Sequence, residues 1–90
     1  MANYKAESFE SRSIVLDGDE YEGCTFRNCT LIYRGGDLPA LRNNSLENCR
    51  WQFQDAAERS VSFLKGLYHG LGPEGRDLIE ATFRDIRTPA

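Results

Sequence analysis

Residues 14–53, broken into fives, read IVLDG, DEYEG, CTFRN, CTLIY, RGGDL, PALRN, NSLEN and CRWQF. The middle letters are Leu16, Tyr21, Phe26, Leu31, Gly36, Leu41, Leu46 and Trp51, and seven of the eight are large and apolar. A helix repeats every ~3.6 residues and a strand every two, so a period of five belongs to neither alone. Gly36 is the exception, and it falls where a turn or bulge is expected.

A shift of twenty residues, four fives, brings like onto like. Asn28 meets Asn48 and Cys29 meets Cys49. Phe26 meets Leu46, Leu31 meets Trp51 and Tyr33 meets Phe53. Arg27 falls opposite Glu47 and Glu22 opposite Arg42, opposite charges that neighbouring rungs of a sheet favour. Such self-similarity is the signature of a chain that winds and stacks on itself.

With these residues in view, the sequence resembles the pentapeptide-repeat family over 14–53. CTFRN, CTLIY, NSLEN and CRWQF match its pattern, and ATFRD at 81–85 matches again more weakly. IVLDG and DEYEG match only at the centre, while RGGDL and PALRN depart from it. The resemblance implies a right-handed quadrilateral β-helix, with the middle residue and the small residue two before it pointing inward. Where the pattern breaks, one face is expected to bulge as a loop. A small sandwich or meander of ordinary strands is the competing reading.

Beyond the repeat, Asp55 followed by Glu58 gives a helix start of capping-box type. Ala57, Val61, Leu64 and Tyr68 then follow helical spacing, with Phe63 and Leu67 widening the stripe. Gly70, Gly72 and Pro73 end it, giving a helix over 55–69. Its apolar face is expected to cover one end of the β-helix core. The 70–75 stretch reads as a Gly-rich turn. Residues 76–90 read as a returning tail, with an extended ATFRD preferred over a helix through Leu78, Ile79, Phe83 and Ile86. The expected fold class is mainly β with one helix: a short right-handed β-helix of about two coils, capped by the C-terminal helix and the tail. All of it forms one domain, 1–90, with residues 1–13 as an N-terminal segment of open conformation.

Composition bounds the function. The 90 residues weigh 10.2 kDa, 40% are hydrophobic and 28% charged. A core this small calls for a staple or a partner subunit. Eleven basic against fourteen acidic residues give a net charge of −3, which argues against direct nucleic-acid binding. No apolar run approaches a membrane span, and the polar MANYKAESFESRS start has no signal-peptide stretch. A cytoplasmic viral or bacterial small protein is the expectation.

The three cysteines are odd in number, which argues against a disulfide framework. Cys24, Cys29, Cys49 and His69 include ligand types that suit zinc, but their spacing is no recognised knuckle, and stacked inward positions explain two of the thiols. No metal and no cofactor are expected. His69 is the one histidine, and no nucleophile motif accompanies it, so catalysis is not expected.

Nine of the eleven basic residues are arginines, suited to phosphate and carboxylate. Tyr33, Arg34, Arg50 and Phe53 form one candidate ligand-binding set, with Arg34 and Arg50 close in the folded frame. His69 and Arg76, flanking the Gly-rich turn, form another. The leading expectation is a non-enzymatic protein that sequesters a small anionic ligand, such as a nucleotide signal, at a homo-oligomer interface. The analogy is one of scale with small viral proteins that do this. The alternative, implied by the family resemblance, is a protein–protein interaction module: a DNA-mimic-like inhibitor or a structural cap.

Overall fold

A computed structural model describes residues 2–89. Met1 and Ala90, the ends of the single domain expected over 1–90, lie outside the described residues. The chain forms two compact units, one ending at Glu58 and the other beginning at Arg59. The first is β, the second helical, and the fold is mainly β with helices.

The β unit is built from nine short strands among the described residues. They are β1 (Asn3–Lys5), β2 (Ser8–Glu10), β3 (Ser13–Val15), β4 (Glu20–Glu22), β5 (Thr25–Arg27), β6 (Thr30–Tyr33), β7 (Ala40–Arg42), β8 (Ser45–Glu47) and β9 (Arg50–Phe53). The chain makes three passes, and each pass lays one strand in each of three parallel sheets. The sheet orders are β1-β4-β7, β2-β5-β8 and β3-β6-β9. Within a pass, strands start five residues apart, at 3, 8, 13, then 20, 25, 30, then 40, 45, 50. Five residues is therefore one side: three in the strand and two at the corner.

The twenty-residue register holds as expected. Phe26 pairs with Leu46, Leu31 with Trp51, Tyr33 with Phe53, and Arg27 with Glu47, whose side chains approach to 3.2 Å. Glu22 pairs with Arg42. Residues 2–15 supply a whole further pass, so there are three layers where about two were expected. This pass is offset by seventeen residues: Tyr4 pairs with Tyr21 and Phe9 with Phe26.

Inward-pointing ladders make the core. They are Tyr4–Tyr21–Leu41, Phe9–Phe26–Leu46 and Ile14–Leu31–Trp51. Layers ~4.8 Å apart suit stacked rings. Tyr4 lies on Tyr21 with centroids 4.9 Å apart, and Phe9 on Phe26 at 5.1 Å. Only the middle layer is fully enclosed: Tyr21, Phe26 and Leu31 are 2% exposed or less.

The corners explain the polar letters of the repeat. Ala6, Ser11, Gly23, Asn28, Asn43 and Asn48 all take left-handed φ between 51° and 63°. Gly and Asn adopt that region most readily. The turned backbone aims N–H groups at the next layer: Asn28 N–H donates to the Glu47 carbonyl at 3.0 Å, and Gly23 N–H to that of Arg42 at 2.9 Å. Side chains add to this, since Asn48 Nδ2 donates to Asn28 Oδ1 at 2.7 Å.

The fourth side carries no strand. It is a loop, 16–19 between the first two passes and 34–39 between the last two. The expected bulge thus lies at RGGDL, whereas PALRN contributes β7. Leu16 was expected as the centre of a five. It stands instead on this loop side, wholly buried, and plugs the core from there.

Helix α1 (Asp55–Gly70) matches the expected 55–69 within one residue. The tail differs. Residues 73–87 form a second helix, α2 (Pro73–Arg87), and ATFRD lies inside it. Pro73 is set for a first helical turn, and Glu74 at the start with Arg84 and Arg87 at the end match the helix dipole. Leu78, Ile79, Thr82, Phe83 and Ile86 keep helical spacing, which outweighs the two residues that also fit a period of five. Gly75 is buried where a Cβ would collide with the Leu67 carbonyl, which fixes a close approach of α2 to the end of α1. The expectation that α1 buries its apolar face is corrected: Val61, Phe63, Leu64 and Tyr68 are exposed, Phe63 by 66%. Of the sixteen residues of α1, the four up to Glu58 belong to the β unit and the rest to the helical unit, without that face being covered.

Candidate functional site

The third pass leaves the β unit open. Leu41, Leu46 and Trp51 hold the same inward positions as Tyr21, Phe26 and Leu31, yet they are 45%, 47% and 49% exposed. No described strand continues the sheets beyond β7, β8 and β9. A hollow of about 250 Å³ lies over this end, floored by Leu16, Phe26 and Leu31 and rimmed by Asn43 and Asn44. Asn44 is tied down on both atoms of its amide. Its Oδ1 accepts from Cys24 N–H at 2.8 Å and its Nδ2 donates to the Tyr21 carbonyl at 3.1 Å. The surface is apolar and preformed, and β7, β8 and β9 around it are edge strands of their sheets among the described residues, the features of a protein-contact surface.

The expected ligand set is divided. Tyr33 and Phe53 do lie side by side across β6 and β9. Tyr33 Oη donates to the Gly36 carbonyl at 2.7 Å, which turns it toward the loop. Arg34 follows directly, but its guanidinium is engaged: Nε donates to Gln54 Oε1 at 3.2 Å and lies 4.0 Å from Asp55. Arg50 pairs with Thr30 at the other end of the same strands. Arg34 and Arg50 are therefore not close. Four residue steps of extended chain, about 13 Å, separate their levels. Arg50 borders a separate polar depression of about 260 Å³ with Asn28, Thr30 and Asn48.

The helical unit carries the second pair. His69 ends α1 and Arg76 lies in the first turns of α2. Arg76 sits over the Tyr68 ring, 5.7 Å from its centroid, and Tyr68 meets His69 edge-on at 5.2 Å. This is a stack of side chains locking the turn.

The thiols act as small inward residues. Cys24 Sγ donates to the Tyr4 carbonyl at 3.5 Å, Cys29 Sγ to that of Phe9 at 3.5 Å, and Cys49 Sγ to that of Phe26 at 3.3 Å. Each reaches back one layer. Among the described residues no three His, Cys, Asp or Glu side chains are grouped to hold a metal. Nor is any described helix long and apolar enough to cross a membrane.

Asp17 is the anchor that the sequence reading passed over. Its Oδ1 accepts from Arg34 N–H at 2.9 Å and its Oδ2 from Gly36 N–H at 2.7 Å. Desolvation pushes the Asp17 carboxyl up, but those two amides, its own N–H and the Arg34 charge outweigh it and hold the group below the ordinary carboxylate value. Gly36 has no Cβ because one would stand 2.8 Å from Asp17 Oδ2. An Asp directly after the apolar triplet Ile14-Val15-Leu16, opposite a Gly-Gly pair, was the available signal.

Comparison of the chain with protein-family models, with curated proteins and with solved structures gave no match.

Proposed function

We propose that this protein is a non-enzymatic interaction module: a right-handed β-helix of pentapeptide-repeat type that works by seating a protein partner on its open third coil. What supports the β-helix reading is the five-residue side, the inward middle residues, the thiols two places before them and the left-handed corners. The observation that carries the function is the half-exposed trio Leu41, Leu46 and Trp51 over a preformed hollow. Nothing comparable in chemistry converges elsewhere among the described residues. The DNA-mimic form of the module finds no support, because the outer ladders alternate in sign: Lys5–Glu22–Arg42 and Glu10–Arg27–Glu47.

The test is site-specific photo-crosslinking in the native host. A photoreactive residue at Leu46 is expected to trap a protein, whereas one at Glu22, on the outer face of β4, is not. Equal yields at both positions, or none at Leu46, would overturn the reading.

Capture of a small anion, such as a nucleotide, is the second reading. Arg50 beside Asn28, Thr30 and Asn48 favours it, since these donors could hold one phosphate. A panel of mono-, di- and cyclic nucleotides should then raise the melting temperature, and the rise should vanish in Arg50→Ala.

A further inference from the structure

We infer that the helical unit is a dimer interface, in which α2 of one copy lies parallel to α2 of a second copy. The inference rests on residues of the helical unit alone, so it stands whether or not the open β end takes a partner.

The unit is short of apolar cover. Val61, Phe63, Leu64, Tyr68, Leu71, Leu78, Phe83 and Ile86 are all exposed. Helices of about 15 residues are marginal in water unless an amphipathic face is packed. These eight side chains show about half their surface, which at roughly 150–200 Å² each is on the order of 600–800 Å². A standard interface buries roughly 800 Å² per partner. Leu78, Phe83 and Ile86 of these stand on α2, so the seam between two copies of α2 covers part of that area, and the charged edges decide the partner.

Charge selects the occupant and the orientation. α2 carries four carboxylates, Glu74, Asp77, Glu80 and Asp85, against three arginines, Arg76, Arg84 and Arg87. A helix with this balance is a poor ligand for an anionic membrane, which favours an excess of Lys and Arg. At 100° per residue, Arg76 and Arg87 edge the apolar stripe on one side, three turns apart. Glu74 and Asp85 edge it on the other with the same spacing. Two such helices running parallel about a two-fold axis place the basic edge of each against the acidic edge of the other. Running antiparallel, they would place like against like. A second copy of this chain thus supplies both the apolar face and the complementary edges.

The test is sedimentation equilibrium of the full chain with paired variants. The native chain is expected at twice 10.2 kDa. Phe83→Glu should give a monomer whose Trp51 emission, on the β unit, is unchanged. Arg87→Glu alone should weaken the dimer by about tenfold, and so should Asp85→Arg alone, because each sets like charges together. The double variant should restore the native constant to within about threefold, which a folding defect would not do. A native chain that stays monomeric up to its solubility limit would overturn the inference. So would a dimer that survives Phe83→Glu but dissociates in Leu46→Asp.

Discussion

Truncating the same kind of side chain in two layers should have unequal cost. Leu31 is the centre of its ladder, between Ile14 and Trp51, and is 1% exposed. Leu31→Ala removes three carbons and leaves a cavity that its neighbours cannot fill, because stacked strands fix the layer spacing. The expected loss is about 3–4 kcal/mol. Leu46 has one covered face and one open one. At about 0.8 kcal/mol per buried carbon, halved for exposure and with no enclosed cavity left, Leu46→Ala should cost about 1 kcal/mol. In a unit of this size each kcal/mol moves the midpoint by about 4–8 °C. Leu31→Ala should therefore melt more than about 12 °C below the native protein, and Leu46→Ala within about 8 °C of it. Urea unfolding followed by far-ultraviolet dichroism, at low protein concentration and with unchanged slope, measures both. Equal costs would refute the reasoning, since they would mean that the third layer is as enclosed as the second.

Other expectations follow from single groups. Tyr21 is pushed up to about 12, mainly by desolvation, with Asp19, Tyr4 and Cys24 adding to it. A raised value means the fold favours the neutral phenol, so its stabilising share is intact below the ordinary value near 10.0 and is lost as pH rises toward 12. Spectroscopic titration should show one of the four tyrosines ionising late. Asp17, whose value is lowered, behaves in the opposite sense: its contribution is full above the ordinary carboxylate range and fades as pH falls through it. Amide exchange at Arg34 and Gly36 should quicken in acid and in Asp17→Ala at neutral pH. Cys24 and Cys29 are 1% exposed, and Cys49 is half-buried. A thiol reagent should modify Cys49 first in the native protein and all three cysteines together in denaturant.

The readable part of the fold was the part with constant layer length. Between the second and third passes the fourth side is long enough to make the repeat twenty, so Asn28 finds Asn48 and Cys29 finds Cys49. Between the first and second, β3 and the loop after it are together three residues shorter than β6 and its loop. Tyr4 and Phe9 therefore escape a twenty-residue shift, although Tyr21 and Phe26 lie directly on them. The N-terminal layer was legible only to a reader who let one side vary. At the tail, Leu78 and Phe83 satisfy both periods, and Pro73, Glu74 and Arg87 are what decide for helix. The candidate set is divided for a different reason. Arg34 and Arg50 are expected close in the folded frame, but a parallel pair holds Thr30 against Arg50 and Tyr33 against Phe53, which places the two residues at opposite ends of the strands.

The alternating outer ladders bear on how copies meet end to end. An open parallel stack with bare backbone edges is a template for growth into fibres. Three layers of alternating sign give both ends of the stack the same charge at matching places. Seating the third layer of one copy on the first layer of the next would bring Arg42 onto Lys5 and Glu47 onto Glu10. The register that holds the layers together inside one chain is thus the register that repels a further chain. An even number of layers with the same alternation would have invited polymerisation.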